Sequence, residues 1–282
     1  MPAFNAAAHI SEALDRILQQ SFGDFELIIS DNGSTDGTEG ICRQYASQDS
    51  RIKYIRQKTN CGPAANFKFV LDAACGQYFM WAACDDIHSN DFVAVNLSFL
   101  EENDAYVASV SSVRFATSGF NAAVMGDLAL TGNVEERFLS MLSCWHANSR
   151  FYSLFRTDAL RACPIIGEQY LGADWAIILF LATKGMFNRN HQGFLIRGEG
   201  GASQRRDVFR FNRTRLIEFI LPFYRLSLCI LTLSQGFLLQ DRLRIMFRML
   251  SLNGSAFRTQ IKYALLDMMD VSRTSLKSSQ KV

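Results

Sequence analysis

Apolar positions along this chain change their period repeatedly, and each change marks an element. Ile10, Ala13, Leu14, Ile17 and Leu18 recur at helical spacing and predict an amphipathic helix. Phe25–Ile29 is a short β-branched run, predicting a strand that ends in the turn cluster Ser30-Asp-Asn-Gly-Ser-Thr-Asp-Gly-Thr38. A helix over 38–46 and a strand over 52–55 follow. Gly62-Pro63 opens another helix, with proline at a tolerated first-turn position, and Gly76 closes it after Ala74. The apolar, partly aromatic run Tyr78–Ala82 predicts a buried strand. Residues 90–102 then read as a helix and 105–113 as a strand.

The second half is less regular. The spacing predicts a helix over 134–142, a strand over 149–155, a helix over 173–184 closed by Gly185, and an extended segment over 186–196. Arg197-Gly-Glu-Gly-Gly-Ala-Ser203 reads as a loop. From residue 205 the pattern is helical, with a break predicted at Asn253-Gly254. Strands separated by short helices imply an α/β fold with a mostly parallel sheet covered on both faces. Ligands of such sheets bind beyond the carboxyl ends of the strands, and two such ends carry acidic residues here, Asp31 to Asp36 and Asp85-Asp86.

Composition adds a division of the chain. Net charge is only +2 over 282 residues. Residues 1–204 hold 15 Lys/Arg against 22 Asp/Glu, and residues 205–282 hold 14 against 5, so an acidic body of −7 carries a basic tail of +9. A hydrophobic content of 49 % supports one substantial core plus an appendage, and 20 % charged residues argue against disorder. Seven cysteines without a C-x-x-C pair give no zinc site or disulfide framework and predict a reducing, cytoplasmic setting. Leu226–Leu239 is too short and polar to predict a membrane span.

The Asp85-Asp86 pair follows a predicted buried strand, where two carboxylates need neutralising. Mg²⁺ or Mn²⁺ carrying a diphosphate would do so, because these ions favour one or two carboxylates plus phosphate oxygens. A surface pair capping the next helix is the plainer alternative. Asp31 could accept hydrogen bonds from a bound base or ribose, while Thr35 or Asp36 caps the following helix. Asp174 opens an otherwise apolar helix, either as a capping residue or as a base that takes a proton from an acceptor hydroxyl. His88, His146 and His191 do not cluster. Arg197 reads as a solvated loop residue or a phosphate contact.

These segments occur together in a known order. Met1-Pro-Ala-Phe-Asn5, Gln19–Thr38, Asn60-Cys-Gly-Pro-Ala-Ala-Asn66, Ala74-Cys-Gly-Gln-Tyr78 and Asp85-Asp86 resemble glycosyltransferase family 2, inverting nucleotide-sugar enzymes of the GT-A fold. The resemblance covers residues 1–110 closely and 150–203 loosely. It implies a GT-A, Rossmann-like mixed sheet over 1–204, with a donor-binding half (1–110) and an acceptor half (111–204), followed by a basic helical extension over 205–282. It further implies that Phe4 and Asn5 lie near the nucleotide, Asp31 binds its base, Asp85 lies at the ribose or diphosphate, Asp86 holds the Mg²⁺ or Mn²⁺, and Asp174 is the general base. The expected partners are a nucleotide-diphosphate sugar and a glycan or lipid-linked acceptor.

Two departures from the family pattern carry expectations. The family has a longer apolar strand before Pro-x-x-Asn, which predicts a natural start upstream of Met1 and the absence here of the central first strand. Cys84-Asp85-Asp86 lacks an acidic residue two places before Asp86, which predicts weaker metal affinity. A non-catalytic binding or scaffold protein of the same fold is the alternative; a nucleotidyltransferase is disfavoured by the lack of a basic, Gly-rich phosphate loop. The tail is expected to contact a membrane surface or to pack and form homo-oligomers. Nothing in it resembles a nucleic-acid module.

Overall fold

The computed structural model describes residues 1–115, 126–143, 146–198 and 207–279, with side chains to residue 267. The chain divides into two compact units: residues 1–169 with 173–201, and residues 170–172 with 202–282. The predicted boundary at residue 204 and the loop beyond Gly198 lie outside the described residues, as does Trp145.

The first unit holds two sheets. In the three-stranded one, β1 (Pro2–Ala3), β2 (Leu27–Asp31) and β3 (Ile52–Arg56) run parallel in that order. All five β2 residues are buried, as expected of a parallel strand covered on both faces. The covering helices include α1 (Ile10–Leu18), α2 (Thr38–Gln48) and α3 (Pro63–Ala73). On α1 the buried residues are Ile10, Ala13, Leu14 and Ile17, the apolar stripe read from the sequence. Met1 leads directly into β1, and its buried ammonium donates to the Ile28 carbonyl at 2.7 Å. Burial pushes the pKa of this amine down to about 5.

The second sheet is mixed, in the order β4 (Tyr78–Phe79), β7 (Leu154–Arg156), β6 (Tyr106–Phe115), β8 (Met186–Arg197), β5 (Ile87–His88). Its centre is the parallel β6–β8 pair; the other three pairings are antiparallel. Helices α4 (Phe92–Glu102), α5 (Val134–Met141), α6 (Thr157–Arg161) and α7 (Ala173–Ala182) accompany it. Helix α7 is buried almost all round, which its unbroken apolar run permits.

Four expectations are corrected. The strand predicted over Tyr78–Ala82 pairs only at Tyr78–Phe79, because Trp81 turns inward, stacks on Phe151 at 4.4 Å and donates its indole N–H to the Phe67 carbonyl. The strand predicted over 149–155 is a 3-10 turn at Ser149–Tyr152 followed by β7, since Asn148 adopts a left-handed conformation that starts a turn. The cap of α2 is Gly37 rather than Thr35 or Asp36; Asp36 acts from one residue earlier, accepting from the Thr38 N–H at 3.0 Å. The break at Asn253-Gly254 does not occur.

In the second unit, α8 (Val208–Phe211), α9 (Ile217–Ile220) and α10 (Tyr224–Leu233) precede the 41-residue helix α11 (Leu239–Ser279). Helix α11 runs through residue 253 because the Asn253 amide is fully used. It accepts from the Phe223 N–H at 2.9 Å and donates to Ser227 Oγ and the Met249 carbonyl. Among the described residues no helix is long and apolar enough to cross a membrane.

Candidate active site

Sheet register builds the centre of the site. In the antiparallel β5–β8 pair Ile87 lies opposite Ile196, so the next pair outward is Asp86 and Arg197. Both are buried, Asp86 at 2 % and Arg197 at 8 % exposure. Gly198, one residue on, donates its N–H to Asp86 Oδ1 at 3.1 Å. Asp86 Oδ2 is buried without a hydrogen-bond partner among the described residues. Desolvation raises the Asp86 pKa to about 6, with Asp85 adding to the rise and Arg197 opposing it. Asp85 is half-buried and lies against Gly198, where an added Cβ would overlap the Asp85 side chain.

Arg197 is where the acidic groups meet. Burial works against its guanidinium, yet the surrounding Tyr152, Asp86, Asp174 and Asp85 raise its pKa. It lies 4.5 Å over the Tyr152 ring and donates to the Ala147 carbonyl at 3.3 Å. Its Nε has no hydrogen-bond partner among the described residues.

Asp174 stands in the first turn of α7. Some of its surface stays accessible although its carboxyl is enclosed by protein atoms, and this enclosure raises its pKa. The opposing effects are the Asn148 side-chain bond to Oδ2, at 2.9 Å, the N-terminal backbone amides and Arg197. Asn148 is held in turn by its own N–H, which donates to His146 Nδ1 at 3.0 Å, and His146 stacks on Trp175 at 4.3 Å. The alternative reading of Asp174 as a helix-start residue therefore coexists with its place in the acidic group.

Asp31 belongs to a second group at the end of β2. It is wholly buried. Oδ1 accepts from the Ser34 N–H at 2.8 Å; Oδ2 accepts from Tyr54 Oη at 2.8 Å and Arg56 Nη1 at 3.1 Å. Burial raises its pKa, but these bonds outweigh it and hold the carboxyl below its ordinary value. Asn5, in a left-handed conformation, joins the same turn: its N–H donates to Ser34 Oγ, and its Oδ1 accepts from the Thr35 N–H. Phe4 beside it is exposed. Cys84, next to Asp85 in sequence, donates its thiol to the Pro2 carbonyl at 3.4 Å, and burial above all pushes its pKa up to about 12.

The structure thus gathers Asp85, Asp86 and Asp174 around Arg197, and Phe4, Asn5 and Asp31 around the Ser34–Thr35 turn. Sequence reading missed Asn148, Tyr152 and Gly198 and undervalued Arg197. The one usable signal was Arg197 ending an apolar extended run. The motif asparagines also prove structural: Asn66 accepts from Ser30 Oγ at 2.6 Å and donates to the Ser30 carbonyl, while Asn32 bonds to Asn60, Cys61 and Gly62. A cavity of about 650 Å³, lined by Met1, Leu27, Ile28, Val70, Phe79 and Leu154 among others, contains none of the acidic site residues.

A parallel β2 strand ends in a buried aspartate and a turn presents two adjacent carboxylates to a buried arginine, and in α/β sheets of this kind ligands bind at the carboxyl ends of the strands. The chain belongs to glycosyltransferase family 2: the profile described as "Glycosyl transferase family 2" matches residues 1–162. An uncharacterised glycosyltransferase of Haemophilus influenzae is 35 % identical over 103 residues, which cover 36 % of this chain and 41 % of that protein. The chain spans less than half the length of the curated relatives it matches first. Two solved structures show the same GT-A fold. S. aureus TarS 1-349 in complex with UDP has a TM-score of 0.56 at 18 % identity, covering 78 % of this chain and 64 % of that one. The mannosyltransferase PcManGT from Pyrobaculum calidifontis, in complex with GDP-Man and Mn²⁺, has a TM-score of 0.53 at 16 % identity, covering 96 % and 78 %.

Proposed function

We propose that this chain transfers a sugar from a nucleoside-diphosphate donor to a hydroxyl of a glycan or lipid-linked acceptor, with inversion at the anomeric carbon and with Mg²⁺ or Mn²⁺ as cofactor, in the cytoplasm. The observation that carries the reading is the buried Asp86 Oδ2, without a hydrogen-bond partner among the described residues, next to Asp85 and sharing the Arg197 charge with Asp174. The UDP and GDP-Man complexes of proteins with this fold support a nucleotide sugar as donor.

The donor set fits a hard cation that arrives with its nucleotide. Asp86, with Asp85 next to it, offers one or two carboxylates, and the diphosphate would complete the shell. Among the described residues no group of three or more His, Cys, Asp or Glu could hold a metal ion unaided. When bound, the cation would draw charge from the departing diphosphate as a Lewis acid. The remaining steps fall to the chain's own groups. Arg197 adds a fixed positive charge next to the carboxylates. Asp174, held by Asn148, takes the proton of the acceptor hydroxyl, and its raised pKa suits a base that must also release it. Attack opposite the diphosphate inverts the anomeric centre without a covalent enzyme intermediate. Asp31, Asn5 and Phe4 form the base-binding rim, where a base would replace Arg56 as a partner of Asp31.

The test is hydrolysis and transfer assayed against UDP-, GDP- and TDP-sugars with Mn²⁺. Asp174→Asn should abolish turnover while leaving nucleotide binding intact. A chain that binds nucleotide but turns over no donor would be a scaffold instead.

A further inference from the structure

Helix α11 has two apolar faces where a helix on a globular surface needs one. Asp241, Ile245, Met249, Leu252, Asn253, Ala256 and Gln260 are its buried positions, a stripe at helical spacing. This stripe is locked by specific bonds: Asn253 to Phe223 and Ser227, and Gln260 Nε2 to the Phe219 carbonyl at 2.9 Å. The helix therefore cannot roll to bury anything else.

A second stripe stays outside. Leu239, Leu243, Met246, Phe247 and Leu250 recur at spacings of four, seven, eight and eleven residues, and Phe247 and Leu239 are each 70 % exposed. On a helix of 100° per residue these five fall on one side, away from the buried stripe. Arg258 lies at the edge of that side and Lys262 a little further round, both exposed; Arg244, on the same edge, pairs with Asp241 at 3.3 Å. From Arg242 to Leu266 the sequence contains no carboxylate, and Asp241 belongs to the buried stripe. Over residues 242–266 the outward face is thus apolar with a basic border.

We propose that this face of α11 docks on an anionic lipid bilayer, with the five apolar side chains in the headgroup–acyl boundary and the basic flank on lipid phosphates. Charge complementarity selects this occupant. A second copy docked through the same face would oppose cation to cation with no acid to pair. A bilayer rich in acidic lipid satisfies both halves of the face, because long basic side chains reach back to the headgroups while apolar ones enter. The proposal stands on the second unit alone and is independent of the sugar-transfer reading.

The experiment is flotation of the full chain with vesicles of phosphatidylcholine alone and of phosphatidylcholine with phosphatidylglycerol. Phosphatidylglycerol vesicles should carry the protein up, and pure phosphatidylcholine vesicles should not. Phe247→Ser with Leu250→Ser, and separately Arg258→Glu with Lys262→Glu, should each weaken binding by about tenfold or more, since apolar and charge contributions act together. All four side chains are in exposed or peripheral positions, and an unchanged melting temperature confirms folding. Absence of binding to phosphatidylglycerol vesicles overturns the proposal. So does binding that neither double variant weakens, or a self-association that Phe247→Ser with Leu250→Ser dissolves.

Discussion

Gly198 donates its backbone N–H to Asp86 Oδ1 at 3.1 Å, joining two positions 112 residues apart. The bond holds one carboxylate oxygen and leaves the other, Oδ2, buried and without a partner among the described residues. A carboxylate half-satisfied in this way is a poor device for stability and a good one for capturing a ligand.

The stability effect has a definite sign. Asp86 titrates near 6 in the folded chain and near 3.8 as an ordinary aspartate. Between these values the folded state holds more protons than the unfolded state, so stability is greatest below the lower value and falls as pH rises through about 6. Asp86→Asn should remove this dependence and stabilise the unliganded chain at pH 7 by on the order of 2 kcal/mol. Urea unfolding from pH 4 to 7 reads it; the same slope in both proteins would refute the burial argument.

Gly198→Ala probes the site without touching an acidic residue. The added Cβ would overlap the whole Asp85 side chain down to its Cβ, so Asp85 must move with its backbone and not by a rotamer change alone. The displacement should lower nucleotide affinity about tenfold or more, some 1.4 kcal/mol, with any loss of fold read separately from the melting temperature. Calorimetric titration alongside thermal melts separates the two; unchanged affinity would place Asp85 outside the donor site.

Asn148→Ala should alter the pH profile of turnover. The Asn148 bond lowers the Asp174 pKa against the dominant effect of burial. Its loss moves the acid limb of kcat to higher pH, so the variant is slower than wild type on the acid side and recovers as pH rises. A profile lowered evenly, without a shifted limb, would mean that Asn148 only supports the fold.

Much of the first unit was legible because burial and chain period coincide there: α1 follows its apolar stripe, and β6 and β8 their extended runs. The errors fell where a side chain overrode the local pattern. Trp81 leaves the strand run for Phe151, and Asn253 spends its amide on Phe223, Ser227 and Met249 instead of ending a helix. The site was legible as far as its carboxylates, which sit in short local motifs. Arg197 and Asn148 were not, since one depends on the β5–β8 register and the other on a left-handed residue facing a helix start.

Asn66 tests the structural side of the motif. It is buried and exchanges two bonds with Ser30. Asn66→Ala should cost about 2 kcal/mol, because it removes the acceptor of the buried Ser30 hydroxyl and a donor to the Ser30 carbonyl, while only the Gln57 Nε2 bond to Ser30 Oγ remains. A loss below about 0.5 kcal/mol in urea unfolding would show that water replaces the amide freely.

The central claim is that Asp86 and its neighbours receive a nucleoside diphosphate together with a divalent cation. Titration of UDP, GDP and TDP into wild type and Asp86→Ala, with and without Mn²⁺, tests it most directly. One of the three should bind wild type only when Mn²⁺ is present, Mn²⁺ alone should not bind, and Asp86→Ala should lose the binding. Equal affinity in Asp86→Ala, or no binding of any of the three with Mn²⁺, would contradict it.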